Sequence, residues 1–422
     1  MILSRNWLQI PLFLILFLIS SATNQLAAAE ETLGTVRFTA GKSPLENEPV
    51  SVELPETGFT AEQVFLIETA DAEMTAIPAQ IEKRKQSADL LWWIPPGKTA
   101  AGKTREFQIH PGTISPPQEL TIKETDRAYQ IRIGDHPVLS YNYQHIEPPK
   151  PLDPLYGRSA HIHPIWTPGG KIVSDEFPPD HAHQSGQFLA FTKAVFEGRP
   201  TNFWEIKSKK GRVRFKNLVS KQVGPVFAEL IVTQEHVDLT GESETPALLE
   251  TWGIRVWNQP AKDPAYWMYD ISSDLRCATE SPLNLPEYHY GGMAIRGGRG
   301  WTKENCEFLN SNGKTRANGN HDRARWCDIS GRTEPDTPWS GFTILTSPDN
   351  FRFPEPVRIH PSMPYMVFTP CPLGDWEIDP GKPHISHYRF LVHDGPALAR
   401  TDAIWQHYAK PPKASIQLVA AP

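Results

Sequence analysis

Short runs in which apolar and polar residues alternate recur along most of the chain, and they predict β-strands. The clearest runs are long and are joined by short polar connections: 227–239, 247–258 and 266–278. Prolines are frequent, with 41 in the chain, and helical periodicity is scarce. Because alternation with a period of two is the mark of half-buried strands, the pattern favours an antiparallel all-β protein. Three long strands in succession predict a meander.

The pattern divides the chain into a small and a large β-domain. Residues 30–117 are expected to form a small N-terminal β-domain that ends at a Pro-rich linker. A large antiparallel β-sandwich is expected over 118–395, and it contains a long Gly-, Asn- and Arg-rich loop at about 279–340. Loops of that length are usually functional or disordered. Residues 396–422 are predicted to form a C-terminal helix and a tail.

The N-terminus has the features of an export signal. Arg5 precedes an almost unbroken apolar run from Ile10 to Ile19, and the small residues 27–29 suit a signal peptidase. The run is too short to span a bilayer comfortably, and no later segment approaches 18 consecutive apolar residues. We therefore expect cleavage after residues 1–29 and a secreted or periplasmic protein without a membrane span. An uncleaved membrane anchor is the alternative.

The net charge limits the classes of partner, and the cysteine content leaves the disulfide state open. The formal net charge of −6 argues against nucleic acid as the main partner. Four cysteines in an exported chain allow two disulfides, and buried free thiols are an equally good interpretation.

The strongest indication of chemistry is a concentration of histidines. Four of the chain's 15 histidines lie between positions 161 and 183: His161, His163, His181 and His183. A spacing of two places both rings of a pair on one face of a strand, so the two pairs could converge. Neutral imidazoles can bind a metal, and an imidazole with a tuned pKa can act as acid or base. The prolines before Asp180 and the glycine after Ser185 predict a rigid, exposed turn.

Glu250 is a second candidate, since it is the one charged residue on an otherwise apolar face of the strand over 247–258. A carboxyl in apolar surroundings has a raised pKa and suits general acid or base work, although a structural ion pair is the alternative. Asp328 is a plausible polar partner for a histidine. His289 and Arg296 flank a Gly-rich segment where backbone could approach a ligand. Trp204 is a candidate for stacking on a sugar ring, or a core residue.

Several short motifs, taken together, resemble a bacterial family that is often called the PmoA family or methane oxygenase PmoA. The resemblance covers about residues 120–395 and rests on Tyr156-Gly157-Arg158, His163-Pro164, Thr167-Pro168-Gly169-Gly170, Asp180-His181-x-His183, Phe203-Trp204, Tyr290-Gly291-Gly292, Trp326-x-Asp328-x-Ser330-Gly331 and Val392-His393-Asp394-Gly395. It implies an exported carbohydrate-utilisation protein whose sandwich is galactose-mutarotase-like. Methane oxidation is rejected, because the true subunit of that name is an integral membrane protein.

The sequence departs from the family's pattern at one position and leaves three functions open. Relatives commonly continue the motif as His-x-His-His-x-Gly, but Gln184 takes the third histidine's place, which implies altered or lost activity.

The first function is an enzyme acting on a carbohydrate or sugar-derived small molecule (a hydrolase, lyase or epimerase). His163, His181, His183, Glu250 and Asp328 would be catalytic, and Arg158, Trp204, His289 and Arg296 would bind substrate. The second is a non-catalytic glycan-binding protein. The third is a metal-dependent oxidoreductase with a divalent metal at His181 and His183.

Overall fold

A computed structural model describes residues 32–57, 59–71, 73–259 and 266–419. The predicted signal segment and most of the predicted turn after residue 259 lie outside these residues. In the described part, no helix is both long and apolar enough to cross a membrane.

The first eight strands build the N-terminal β-domain. They are β1 (Gly34–Thr39), β2 (Leu45–Glu46), β3 (Val50–Glu53), β4 (Val64–Glu68), β5 (Ala76–Glu82), β6 (Leu90–Trp93), β7 (Lys98–Thr99) and β8 (Thr104–Pro111). The remaining elements are β9 (Leu120–Glu124), β10 (Ala128–Ile133), β11 (His136–Asn142), β12 (His161–Ile165), β13 (Gln187–Phe191), β14 (Ala194–Phe196), β15 (Arg199–Thr201), β16 (Gly211–Val223), β17 (Phe227–Asp238), β18 (Thr245–Trp257), β19 (Tyr266–Cys277), β20 (Leu283–Leu285), β21 (Gly291–Arg296), β22 (Cys306–Asn310), β23 (Asp322–Arg323), β24 (Trp326–Gly331), β25 (Ser340–Thr346), β26 (Pro356–Ile359), β27 (Tyr365–Phe368), β28 (Trp376–Ile378), β29 (His384–Asp394), helix α1 (Thr401–Ala409) and β30 (Lys413–Leu418). Short 3-10 helices cover Pro154–Tyr156, Ile206–Ser208 and Cys371–Leu373.

The chain is an all-β protein with large antiparallel sheets, as the alternating pattern predicts. One sheet has the strand order β23-β26-β27-β21-β13-β12-β11-β10-β9, and a second has the order β16-β17-β18-β19-β29-β25-β24-β22. They form a sandwich, with the main hydrophobic core between them. A four-stranded sheet, β15-β14-β20-β28, adjoins it. The predicted meander is present as β17, β18 and β19, which pair in succession.

Hydrogen bonds across the sandwich identify the inward faces of its two large sheets. Tyr141 Oη donates to Gln234 Oε1 at 3.0 Å, and Tyr269 Oη donates to Gln187 Oε1 at 2.5 Å. Gln187 pairs with Ile162 and with Ile295, so these residues share the inward face of the nine-stranded sheet. Because neighbouring residues alternate between faces, the residues next to them in each strand point outward.

By this alternation, His161 and His163 on β12, Phe188 on β13 and Arg296 on β21 lie on the outward face of the nine-stranded sheet. Tyr365 on β27 pairs with Arg296 and lies on the same face. This face carries the candidate site.

The structure changes one sequence expectation and decides between the two interpretations of the cysteines. The segment 279–340 is not a single long loop, because it contributes strands β20 to β24 to three different sheets. Its glycines and asparagines lie mostly in the tight connections between these short strands. The four cysteines form no disulfide: Cys277 is half-buried and the other three are buried as free thiols.

The C-terminal segment is also more ordered than a helix with a tail. Helix α1 packs Ile404 into a core cluster with Trp257 and Leu345 of the eight-stranded sheet. Strand β30 then pairs along β1 over six residues and becomes the edge strand of the N-terminal sheet. The first and last parts of the chain therefore share one sheet.

Candidate functional site

The predicted turn between residues 178 and 186 is present, and it presents two of the histidines. The backbone N–H of His181 donates to the Pro178 carbonyl at 3.1 Å, and that of Gln184 donates to the His181 carbonyl at 2.8 Å. Gly186 follows with φ +56°, and a Cβ there would collide with the Ile162 carbonyl oxygen on β12. Glycine is required at this position because both the backbone conformation and the close approach exclude a side chain.

His181 and His183 meet a third histidine that lies far away in the sequence. The ring centroids of His181 and His183 are 5.5 Å apart, and that of His360 is 6.2 Å from His181. His183 Nδ1 lies 2.7 Å from Glu205 Oε2, so this carboxylate orients the imidazole. We call His181, His183, His360 and Glu205 the histidine site.

Arg296 lies beneath the histidine site and is 5 % exposed. Its Nη2 donates to both carboxylate oxygens of Asp180, at 2.8 and 3.0 Å, and its Nη1 donates to Gln184 Oε1 at 3.0 Å. Gln184, the position that departs from the family motif, therefore supplies an acceptor that fixes the arginine. Burial alone would raise the pKa of Asp180, but Arg296 holds that pKa below its ordinary value.

Two imidazoles of the histidine site, those of His360 and His181, have lowered pKa values. Burial, followed by the positive charges of Arg358 and other nearby groups, lowers the pKa of His360 to about 4. Burial and then His183 lower the pKa of His181. Both rings are therefore uncharged at neutral pH and able to accept a proton. Glu205 has a lowered pKa, because hydrogen bonding to His183 outweighs the effect of burial.

Aromatic rings border the histidine site. Tyr290 contacts Trp204 with centroids 5.1 Å apart, and Trp204 contacts Tyr365 at 5.9 Å. Tyr288 and His289 contact Tyr290 in tilted and edge-on arrangements, with ring centroids 5.3 and 4.6 Å from that of Tyr290, and His289 is exposed. Trp204 itself is only 1 % exposed, so the predicted stacking surface is not on this residue. The accessible rings are those of Tyr288, His289 and Tyr290.

Several buried polar atoms in this region have no hydrogen-bond partner among the residues that the structure describes. They include Trp204 Nε1, Tyr365 Oη and Glu205 Oε1. Buried polar groups are normally paired, and an unpaired one costs about 1–3 kcal/mol. The packing beside Tyr290 and His183 therefore leaves several buried polar groups without a partner in the described chain.

The other predicted histidines form a separate group on the same face. His161 Nε2 lies 2.6 Å from Glu176 Oε1, and His163 Nδ1 lies 2.9 Å from Ser174 Oγ. Burial lowers the pKa of His163 to about 4. No hydrogen bond, ion pair or ring contact within the described chain joins His163 to His181 or His183, so the two pairs do not converge.

Glu250 is part of the core network between the sheets. As predicted, its strand buries one face completely, including Leu248, Trp252 and Ile254. The carboxylate accepts from His236 Nε2 at 2.8 Å and also from Gln234, Trp252 and Ser273. Burial raises its pKa, but these donors, His236 first, lower it more, and the net shift is downward. The expected raised pKa is therefore wrong, and the nine-stranded sheet separates Glu250 from the histidine site.

Asp328 does partner a histidine, but a different one. It accepts from His393 Nε2 at 2.8 Å and from Thr343 Oγ1 at 2.7 Å, with Ser330 as a third donor. Pairing of β24 with β25 places this network on the outward face of the eight-stranded sheet, alongside Leu345. Two sheets therefore lie between Asp328 and the histidine site, and the structure does not support its catalytic assignment.

Arg158 lies directly behind His183. Its Nη1 donates to the His183 carbonyl at 3.3 Å, and its guanidinium lies over the Phe188 ring at 4.6 Å. It is 3 % exposed, and no carboxylate of the described residues pairs with it. Of the four predicted substrate-binding residues, Arg158 and Arg296 therefore adjoin the site, His289 lies at its rim, and Trp204 is buried behind it.

The residues needed for a metal site are not grouped here. In the ranges described above, no three His, Cys, Asp or Glu side chains are arranged to hold a metal ion. His181 and His183 offer two nitrogens at most, and Glu205 occupies Nδ1 of His183.

Sequence reasoning missed Glu205, His360 and Tyr290 as site residues. Glu205 directly follows the Phe203-Trp204 motif, and Tyr290 opens the Tyr290-Gly291-Gly292 motif, so both could have been identified by adjacency. His360 had no local signal, because only the pairing of β21, β27 and β26 brings its loop to the turn at 178–186.

Residues 128–407, about two-thirds of the chain, match a family model described as "Family of unknown function (DUF6807)". No curated protein matches the chain. The matched region contains every residue of the histidine site. The family model assigns no activity, so the resemblance to the PmoA family stays a prediction.

Proposed function

We propose that this chain, which belongs to the DUF6807 family of unknown function, is an exported carbohydrate-active enzyme that transfers a proton through His183. The observation that carries the proposal is the His183–Glu205 pair, 2.7 Å apart, beside two histidines that are neutral at neutral pH. A histidine oriented by a carboxylate is a common general base.

The orientation of His183 leaves one nitrogen for a substrate. Glu205 holds Nδ1, and no described residue hydrogen-bonds Nε2. Burial raises the pKa of Tyr290 to about 12, so its hydroxyl is protonated at neutral pH and can donate. A base in His183 and an acid in Tyr290 make a proton-transfer pair.

The positions of the carboxylates favour a lyase or an epimerase over a hydrolase. Most glycoside hydrolases use two carboxyl groups that flank the scissile bond. Here Asp180 is bound by Arg296 and Glu205 by His183. In a lyase, His183 would take a proton from a carbon next to a carbonyl or carboxyl group, the electron pair would form a C=C bond, and the neighbouring C–O bond would break as Tyr290 protonates the leaving oxygen. In an epimerase, a proton would instead return to the opposite face of the same carbon.

A sugar ring suits the surroundings of this pair. The rings of Tyr288 and Tyr290 can pack against the apolar face of a sugar, as amphipathic aromatic side chains do at many interfaces. The resemblance to exported carbohydrate-utilisation proteins supports the same substrate class.

Proton abstraction is tested by wash-in of solvent deuterium. The purified protein would be incubated in D2O with neutral and acidic oligosaccharides, and NMR would follow deuterium incorporation while ultraviolet absorbance follows an unsaturated product. We expect one of these signals from the wild type, its loss in His183→Ala, and a decrease of about 10²- to 10⁴-fold in Glu205→Gln. His136→Ala, which alters an exposed histidine at the start of β11 outside the site, is the control.

The outcome separates the enzyme from a glycan-binding protein. Binding of an oligosaccharide without deuterium incorporation, bond cleavage or a new reducing end would favour the non-catalytic alternative. Turnover that survives in folded His183→Ala would overturn the assigned base.

A further inference from the structure

We infer that a groove along edge strand β16 binds an anionic saccharide chain and leads to the histidine site. This inference goes beyond the proposed function, because it concerns binding and stands whether or not the site turns its ligand over. It rests on the shape of the groove, its charge, and one buried arginine without a carboxylate partner.

Two adjoining cavities make up the groove, each of about 570 Å³. They share His145, Gly157, Ile206 and Arg212, so they are continuous. One wall is β16, the edge strand of the eight-stranded sheet, and the other is the segment from Tyr143 to Ser159. Ligand pockets commonly have volumes of about 300–1,000 Å³, so the combined space suits more than one sugar ring.

The groove is basic, although the chain as a whole is acidic. Five Lys or Arg residues line it, against two glutamates, whereas the whole chain has a net charge of −6. Arg212 and Arg214 both pair with Glu244, and Arg214 and Lys216 pair with nearby Glu235. In these pairs the basic groups and Glu244 are exposed while Glu235 is buried. Arg158 and Lys209 line the groove outside these pairs, so a positive excess remains available to a ligand.

Arg158 is the part of the groove that most requires an anion. It is almost completely buried, yet its Nε has no hydrogen-bond partner in the described chain, and only the His183 carbonyl accepts from Nη1. Burial lowers the pKa of its guanidinium to about 10. Glu176 is near enough to raise this pKa but forms no ion pair with Arg158, and an anionic ligand group would offset the cost of burying the charge.

The groove is connected to the histidine site at Arg158 and at the short helix Ile206–Ser208. Arg158 lines the groove and donates to His183, while Ile206 lines both cavities directly after Glu205. At the far end of one cavity, the half-buried rings of Tyr143 and Phe215 lie 5.6 Å apart. Aromatic rings at one end and positive charge near the reactive histidine fit a sugar polymer whose rings carry carboxylate or sulfate groups.

Isothermal titration calorimetry tests the inference, with full-length His183→Ala as the host, so that binding is measured without turnover. The probes are an oligogalacturonate, a sulfated galactan oligosaccharide and a neutral cello-oligosaccharide. We expect one or both anionic probes to bind and the neutral one not to bind. Carboxylate and sulfate sources are told apart by which probe binds more tightly. Raising the ionic strength from about 0.02 M to about 0.5 M should weaken binding.

Two variants locate the binding. Arg158→Met should fold, because a buried unpaired charge is replaced by an apolar side chain, and should lose about tenfold or more in affinity. Arg212→Gln at the groove wall should lose about two- to fivefold, whereas Lys382→Gln, an exposed lysine elsewhere, should lose nothing. The inference is overturned if no anionic probe binds, if the neutral probe or a single-stranded oligonucleotide binds as tightly, or if both arginine variants bind like the host.

Discussion

Replacing Glu250 with Gln distinguishes a structural carboxylate from a catalytic one. Each of its two oxygens accepts from two donors: Gln234 and His236 on one, Trp252 and Ser273 on the other. The amide of the glutamine keeps only one of the two oxygens. Its NH2 group would replace the other oxygen, and the two donors that face it would lose their acceptor. At about 1–3 kcal/mol for each buried unpaired group, the expected loss is about 3–5 kcal/mol of unfolding free energy.

The pH dependence of this loss has a definite sign. The pKa of Glu250 is lowered in the folded protein, so the carboxylate contributes stability above its ordinary pKa, about 4.3, and that stability is lost as the pH falls through the folded value. Urea unfolding, followed by tryptophan fluorescence between pH 7 and pH 3 (about the range of carboxyl titration), should show a smaller acid effect in Glu250→Gln than in the wild type.

Glu377→Gln is the matched control for Glu250→Gln. Glu377→Gln changes an exposed glutamate on β28 and should alter stability by less than about 0.5 kcal/mol. If Glu250→Gln instead abolished turnover and cost less than about 1 kcal/mol, Glu250 would act in catalysis and the assignment to the core network would fail.

Three further predictions concern other parts of the fold. His163 has a pKa of about 4 in the folded protein against an ordinary 6.5, so its neutral form contributes stability that is complete above pH 6.5 and is lost as the pH falls to about 4. The urea midpoint of His163→Gln should therefore fall less over that pH range than the midpoint of the wild type. An equal fall of the two midpoints would contradict this. Gly186→Ala should lower the melting temperature by several degrees more than Gly198→Ala, since both have positive φ but only Gly186 has a carbonyl in the way of a Cβ; similar losses would show that the turn can shift. A thiol reagent should titrate four cysteines in the denatured, unreduced protein, because all four thiols are free. It should react slowly with the native protein, because three of the thiols are buried and burial raises the pKa of all four. A titre below four in the denatured protein would indicate a disulfide.

The strands were predictable because alternation is a local property. The long runs at 227–239, 247–258 and 266–278 differ from the observed strands by at most two residues at either end. The face of the strand that holds Glu250 was also predictable. Its partners were not, because pairing in register with β17 and β19 decides that Gln234 and Leu275 flank it.

The candidate site was predictable only where its residues are close in the sequence. The turn holding His181 and His183 has local signals in its prolines and Gly186. The contribution of His360 depends on strand pairing some 180 residues later, which no spacing rule reaches. The separation of His163 from His181 has a similar cause: their segments meet at Gly186, but His163 hydrogen-bonds Ser174, whereas His181 lies beside Asp180.

The pairing of β30 with β1 has a consequence for how the protein can be made and rearranged. The Val419 N–H donates to the Leu33 carbonyl at 3.0 Å, so the two ends of the described chain are adjacent. The N-terminal sheet cannot gain its last strand until synthesis has reached residue 418, and completion of the first domain is therefore a late event. Adjacent ends also allow a short peptide to join them, so new termini could be opened in an exposed connection elsewhere and give a circular permutant with the same sheets.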